Sequence, residues 1–203
     1  MFCVIEIKDV IRLKPKRFAT DRNEALAFEI NKMFTNKVIH KRGLGICLFD
    51  LLDIGDGEIH PSDGAAHVHV TFRLLMFRPF VGEVLKGTIR SCSRDSGIRV
   101  SLGTFFDDVV IPPDKLRPGS FFDEAKQTWI WRYSADDAVH DLEYSLEDEI
   151  YFMVDEEIFT DIPPRTRLES KKAAEETAAQ QVPYLIKAKA DLDGLGMCEW
   201  WDL

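Results

Sequence analysis

The sequence predicts an α+β protein in two parts. A small α+β domain spans residues 1–79, and a five-stranded β-barrel of the OB type, carrying an acidic insertion, spans residues 80–203. Three observations predict it. A single stretch at helical spacing is set among alternating strands before Arg78-Pro79-Phe80. Beyond that point come short strands, bent at glycines and divided by turn-forming residues. Between Phe121 and Asp161 stand 13 acidic against 2 basic residues, more than the whole chain's net charge of −9.

In the first part, Phe2 to Leu13 alternates loosely and reads as an opening strand, ended by Pro15 in the basic turn KPKR. Thr20 or Asp21 can cap the helix that follows, with Asp21 and Glu24 spaced as a capping box. Leu26, Ile30 and Met33 form its apolar stripe, flanked by Ala27 and Phe34. Lys37 to Leu52 reads as strand, glycine-containing turn and strand. DIGDGEIHPSDGAAH is polar and turn-rich. HVHVTFRLLMF then alternates Val68, Val70, Phe72 and Leu74 toward one face.

The second part opens with VGEVLKGTIRSCS, a strand with Gly87 where a small barrel must bend. GIRVSL turns Ile98, Val100 and Leu102 inward, and GTFFDDVVIPP adds a turn and a third strand. Glu149 to Val154 gives a fourth, while Tyr184 to Lys189 with Met197 to Trp201 form a closing ribbon. Two segments exceed a minimal barrel. Residues 114–146 hold WIWRY in acidic sequence and read as an insertion with its own hairpin. Residues 163–183 read as a linker, since SKKAAEETAAQQ has helix-forming composition without an apolar stripe.

Composition narrows the function. Hydrophobic residues at 45% suffice for a core in each part, and a net charge of −9 excludes a surface that grips duplex DNA all over. Cys3, Cys47, Cys92 and Cys198 contain no CxxC pair and read as free thiols of a reducing compartment. MFCVIEIKD reaches charge too early for a signal peptide, and no run approaches the ~20 apolar residues of a membrane span, so a soluble intracellular protein without membrane partners is expected.

No phosphate-binding loop, dinucleotide fingerprint, nucleophile elbow or zinc-protease motif occurs, so neither catalytic residues nor cofactors are assigned. His67 and His69 share a strand face, yet with no cysteine nearby and His60 in a separate turn they imply no metal site. Asp107-Asp108 and Asp136-Asp137 read as turn and surface carboxylates, with Asp107 and Asp108 at a turn accepting backbone hydrogen bonds. The positive case is nucleic-acid contact. Lys86, Arg90, Arg94 and Arg99 can line the first two barrel strands as a backbone-tracking stripe, and one of Phe105 and Phe106 can present a stacking ring. Trp129, Trp131 and Tyr133 share strand parity and make either a local core or a partner-binding face. Trp200 and Trp201 divide between closing the barrel and meeting a partner.

The segment order resembles the larger stalk subunits of nuclear RNA polymerase III. The resemblance runs through MFCVIEIKDVIRL, INKMFTNKVIHKRGLGICLFDLL, IHPSDGAAHVHVTFRLLMFRPFVGEVLKGTIRSC, GIRVSLGTFFDDVVIPP, TWIWRY and DGLGMCEWW, nearly the whole chain. It implies a ribonucleoprotein-like N-terminal domain and a C-terminal OB barrel of the ribosomal-protein type. It also implies a smaller stalk partner, the polymerase III core, initiation factors, a nuclear location, and weak contact with single-stranded RNA or DNA. Pro61, Asp63 and Gly64, with Lys14, Lys16 and Arg17, would form the tip that docks into the polymerase, and Arg78, Pro79 and Phe80 the junction between domains. The reading that competes is a free-standing OB-fold RNA-binding protein of translation or RNA processing. A nuclease built on Asp107 and Asp108, and an adaptor without nucleic-acid contact, stand behind it.

Overall fold

A computed structural model describes residues 1–59, 61–135, 138–161 and 182–201. Contacts divide the chain into Met1–Pro79 and Phe80–Leu203.

The first unit holds β1 (Phe2–Leu13), α1 (Arg22–Phe34), β2 (Val38–Ile39), β3 (Gly43–Ile59) and β4 (Ala66–Phe77). The strands form one antiparallel sheet in the order β1-β4-β3-β2. Asp21 caps α1, its carboxylate accepting from the N–H of Asn23 at 3.0 Å and of Glu24 at 3.4 Å, which satisfies two of the helix's orphan donors. The helix buries Ala25, Leu26 and Ile30 in a core with Ile11, Val68, Val70, Phe72 and Leu74. Met33 departs from the expected stripe. Phe34 takes the contact at the last turn, its ring 5.6 Å from Phe72, and Met33 is left exposed. A second correction concerns Asp53 to Ile59, which is strand and not turn. β3 stays paired to β4 as far as Ile59↔Ala66 through four register irregularities. Glycine permits this: a Cβ on Gly55 would lie 3.2 Å from the His69 carbonyl oxygen.

The second unit holds β5 (Val84–Ser93), β6 (Gly97–Leu102), β7 (Phe106–Ile111), β8 (Ser120–Asp123), β9 (Thr128–Ala135), β10 (Ala138–Glu143), β11 (Glu149–Phe159), β12 (Tyr184–Lys189) and β13 (Gly196–Met197). Five of them make a ring, β12-β7-β6-β5-β11, closed by pairing of β11 with β12; β13 adds to β11. The β7–β12 pair is parallel and the other ring pairs are antiparallel. Ile89, Ile98, Val100, Val109, Ile111, Phe152, Val154 and Ile186 fill the ring's interior. Gly87 admits this closeness, since a Cβ there would meet Val100 Cγ1 at 2.6 Å and the Ser101 carbonyl oxygen at 2.8 Å.

The insertion is a three-stranded sheet, β10-β9-β8, in place of the expected hairpin. The expected C-terminal ribbon does not form: β12 and β13 each pair with β11 and not with each other, and β13 gives way at Cys198 to a 3₁₀ turn through Trp200. Gly196 explains the turn. Its φ of +111° bends the chain so that the Trp200 ring lies where a Cβ would be, 2.6 Å away at Cζ3. His60, Asp136, Asp137 and residues 163–181 of the expected linker lie outside the described residues.

Candidate nucleic-acid interface

Strand alternation places Lys86, Arg90 and Arg99 on the outside of the ring. Lys86 and Arg90 are exposed on β5, Arg94 lies in the β5–β6 turn, and Arg99 is exposed on β6 opposite Ser91, one residue from Arg90. The register shift between Ile89 and Ser91 turns Arg90 outward together with Ser91.

Three of the four have carboxylate partners. Lys86 Nζ lies 2.6 Å from Glu149 Oε2, and that hydrogen bond holds its ammonium above the usual lysine range. Arg94 Nη1 lies 2.5 Å from Glu124 Oε1. Arg99 donates from Nε to the Asp107 carbonyl oxygen at 3.2 Å and pairs with the Asp108 carboxylate. Arg90 has no ion pair or side-chain hydrogen bond among the described residues. The acidic surplus is therefore partly spent on the stripe itself. Exposed pairs of this kind are screened by water and hold their cations only weakly.

The two phenylalanines divide as alternation requires. Phe105 is 37% exposed, whereas Phe106 is 5% exposed and lies 5.3 Å from the Tyr184 ring, so Phe105 is the ring open to stacking. Asp107 and Asp108 correct the expected turn: both lie within β7. Asp107 accepts from the Ser101 hydroxyl at 2.5 Å and Asp108 from Arg99, which binds β6 to β7.

Trp129 and Trp131 are core of the insertion, the first of the two alternatives for their shared parity. Trp129 Nε1 donates to the Ser93 carbonyl oxygen at 3.0 Å, and Trp131 Nε1 to that of Pro118 at 3.1 Å. Trp131 is 9% exposed, so a partner cannot reach its ring from outside; Tyr133 and Trp201 remain exposed. Trp200 packs 5.2 Å from Trp131 and 4.8 Å from Tyr144. The guanidinium of Arg117, 8% exposed, lies 4.8 Å from the Trp131 ring and 5.2 Å from that of Trp201, while donating to Asp193 and the Leu192 carbonyl oxygen at 2.9 Å each. This clasp ties the insertion to the C-terminal segment. Burial pushes the Tyr144 phenol up to about 12.

At one end of the first unit's sheet, Leu13↔Ala66 pairing brings the KPKR turn beside Pro61 to Gly64. Asp63 accepts from the Ala65 N–H at 3.0 Å and from Arg12 Nε at 2.7 Å, which holds its carboxyl below the usual range. Gly64 adopts φ +64°, and a Cβ on it would be 3.9 Å from Pro15. Arg17 lies 3.8 Å over the Phe28 ring; Lys14 and Lys16 are exposed. At the sheet's other end, the Arg78 N–H donates to the Met1 carbonyl oxygen at 2.9 Å, and the chain continues through Pro79 to Phe80, which is exposed.

A family model described as RNA polymerase III subunit Rpc25 matches residues 83–201, and a model of the SHS2 domain found in the N terminus of Rpb7p/Rpc25p/MJ0397 matches residues 8–64. The chain belongs to the Rpc25 family. Relatives of this family span its full length. DNA-directed RNA polymerase III subunit RPC8 of Bos taurus is 39% identical over 99% of this chain and 98% of its own. That of Schizosaccharomyces pombe is 40% identical over 99% of this chain and all of its own. Subunit RPB7 of RNA polymerase II from Saccharomyces cerevisiae is 33% identical over 51% of this chain and 61% of its own. Rpc25-family proteins are accessory, non-catalytic stalk subunits. Among the described residues no group of three His, Cys, Asp or Glu could hold a metal.

Sequence reasoning missed one basic feature, the turn between β2 and β3. Its signal was present: Ile30 to Phe49 contains Lys32, Lys37, Lys41 and Arg42 and no acidic residue.

Proposed function

We propose that this Rpc25-family chain is the larger subunit of the RNA polymerase III stalk. It pairs with a smaller stalk subunit, docks on the polymerase core through the tip formed by Lys14, Lys16, Arg17, Pro61, Asp63 and Gly64, and supports initiation at tRNA, 5S rRNA and other small-RNA genes in the nucleus, where initiation factors are further partners. The observation that carries this reading is the end-to-end match with polymerase III subunits, across both units and not the ring alone. A free-standing RNA-binding protein would need only the ring.

The ring acts as an OB-type barrel that touches single-stranded RNA or DNA weakly. Its strand order supports this: numbered within the ring the strands run 1-2-3-5-4-1, with a parallel 3–5 pair. Arg90 and Phe105 make the first contacts, and Lys86 and Arg99 join by exchanging their carboxylates for phosphates. Affinity is low for the isolated chain and is raised by local concentration once it is assembled.

Affinity purification of the tagged protein from nuclear extract at moderate salt, with mass identification and stoichiometry of the bound proteins, tests the assembly. Recovery of the polymerase III subunits with one small partner in equal amount is expected. Recovery alone, or with ribosomes or processing factors, overturns it. Crosslinking to nascent RNA that persists unchanged in the K86Q/R90Q/R99Q variant removes the ring from the RNA path.

A further inference from the structure

We infer that the turn joining β2 to β3, with Lys37, Lys41 and Arg42, is a second contact site for a single-stranded RNA backbone, separate from the ring. The stalk reading supplies only the identity of the polyanion; the site itself stands on charge, pairing and backbone geometry.

Lys37, Lys41 and Arg42 are exposed, with Lys32 on the last turn of α1 just before them. None of the four has an ion pair among the described residues, in contrast to Lys86, Arg94 and Arg99 on the ring. An approaching phosphate meets cations here with no carboxylate to displace, so the turn needs no rearrangement to bind. Oxygen-rich anions bind such cations through charge and counterion release, without sequence readout.

The turn is also held rigidly. The Asn36 N–H donates to the Gly45 carbonyl oxygen at 2.8 Å, the Gly45 N–H returns to that of Lys37 at 2.9 Å, and the Arg42 N–H reaches Ile39 at 2.9 Å. A Cβ on Gly45 would stand 2.3 Å from the Phe34 carbonyl oxygen, so the loop is packed directly on the end of α1. Two of the four non-glycine residues with positive φ among the described residues fall here, Asn36 at +58° and Lys41 at +59°. Asparagine suits that conformation. Lysine does not, and a strained lysine in an exposed, well-fastened turn is the kind of backbone cost that function accounts for. Lys41 has no ion pair among the described residues, so its ammonium can take an external anion.

Position favours RNA over an acidic segment of the polymerase. The β2–β3 turn lies beside Gly43 and Phe77, at the end of the sheet opposite Lys14 and Pro61. With β1 running the sheet's length at ~3.3 Å per residue, the two ends are roughly 35–40 Å apart. Docking at the tip therefore does not itself occupy this turn.

The test uses the full chain and a fluorescein-labelled, unstructured single-stranded RNA of about 20 nucleotides, followed by anisotropy over a range of salt. The K37Q/K41Q/R42Q variant is expected to bind about tenfold more weakly at low salt and to lower the slope of log affinity against log salt by about 2, since each lost phosphate contact on a single strand removes ~0.7. Lys41→Gly alone relieves the strained backbone and serves as the folding control; it should raise the unfolding temperature while weakening RNA binding. Unchanged RNA affinity and slope in the triple variant, or no binding by the parent protein at 20 mM salt, overturns the inference. Loss of polyglutamate binding with RNA binding intact overturns it in favour of an acidic protein partner. Polymerase recovery by the triple variant should be unchanged, so failure of the stalk reading and failure of this site give different results.

Discussion

The insertion and the N-terminal sheet use the same residue types to opposite ends. In the insertion, Trp129, Trp131 and Tyr144 turn inward, their polar atoms or edges met by Ser93, Pro118 and Trp200. In the N-terminal sheet, Phe2, Val4, Phe49 and Leu52 stay exposed on the face away from α1. Both regions alternate along their strands. The difference is coverage: the chain's C-terminal segment folds over the insertion's aromatic face, whereas the sheet has one helix for two faces. Apolar alternation thus marks a face that is to be covered, and only the rest of the chain decides whether the covering is its own.

The largest effect that sharpens this contrast is expected at Trp131. Trp131→Ala removes a ring packed against Trp200 and Arg117 and should destabilise the second unit by about 3–5 kcal/mol, read as a lower denaturation midpoint in urea. A loss under 1 kcal/mol would mean that the ring is not core.

Next in size is a pH effect confined to the insertion. The Tyr144 phenol titrates near 10 when unfolded and near 12 when folded, because burial disfavours the phenolate. Its raised value stabilises the fold fully below pH 10, and that contribution is lost as pH climbs toward 12. The linkage is worth about 2–3 kcal/mol at most, since one unit corresponds to ~1.4 kcal/mol. Stability measured at pH 9 and pH 11.5 should fall further in the parent than in Tyr144→Phe, whose ring keeps the packing without the proton. Equal falls would place the hydroxyl in water.

The cap of α1 comes third. Asp21→Ala leaves the Asn23 and Glu24 N–H groups without their acceptor and should cost about 1 kcal/mol, while Asp21→Asn should cost much less. Thermal unfolding followed by circular dichroism separates the two.

Much of this was legible in the residues. Val68, Val70, Phe72 and Leu74 point as their alternation requires, and the ring's inward Ile98, Val100 and Leu102 do likewise, because one buried face imposes a period of two. What alternation could not convey is pairing across long stretches of sequence. Asp53 to Ile59 looked like turn because its glycines and acids are turn residues, yet its partner β4 holds it extended. Arg94 and Arg99 looked like open cations because Glu124, 30 residues away, and Asp108, on the next strand, become neighbours only on folding. The β2–β3 turn was overlooked for the converse reason. Its signal, the acid-free run from Ile30 to Phe49, is one of composition and matches no recognised motif, and only folding shows that its cations make no ion pair among the described residues.

The smallest expected effect is the one that completes the comparison. Phe49 is 58% exposed on β3, with the Arg73 guanidinium 5.1 Å from its ring, and Arg73 itself is engaged by Asp50. The ring therefore loses little water on folding, and its cation–π contact is of the exposed kind worth about 0.5–1 kcal/mol. Phe49→Ala should shift the stability of the isolated chain by no more than about that amount, several-fold less than Trp131→Ala. Should it cost as much as Trp131→Ala, the sheet's outer face is core after all and the contrast with the insertion fails. Should it be neutral in the isolated chain yet weaken recovery of the smaller partner in the affinity purification, the face is one that another protein covers, and coverage from outside replaces the coverage the insertion supplies for itself.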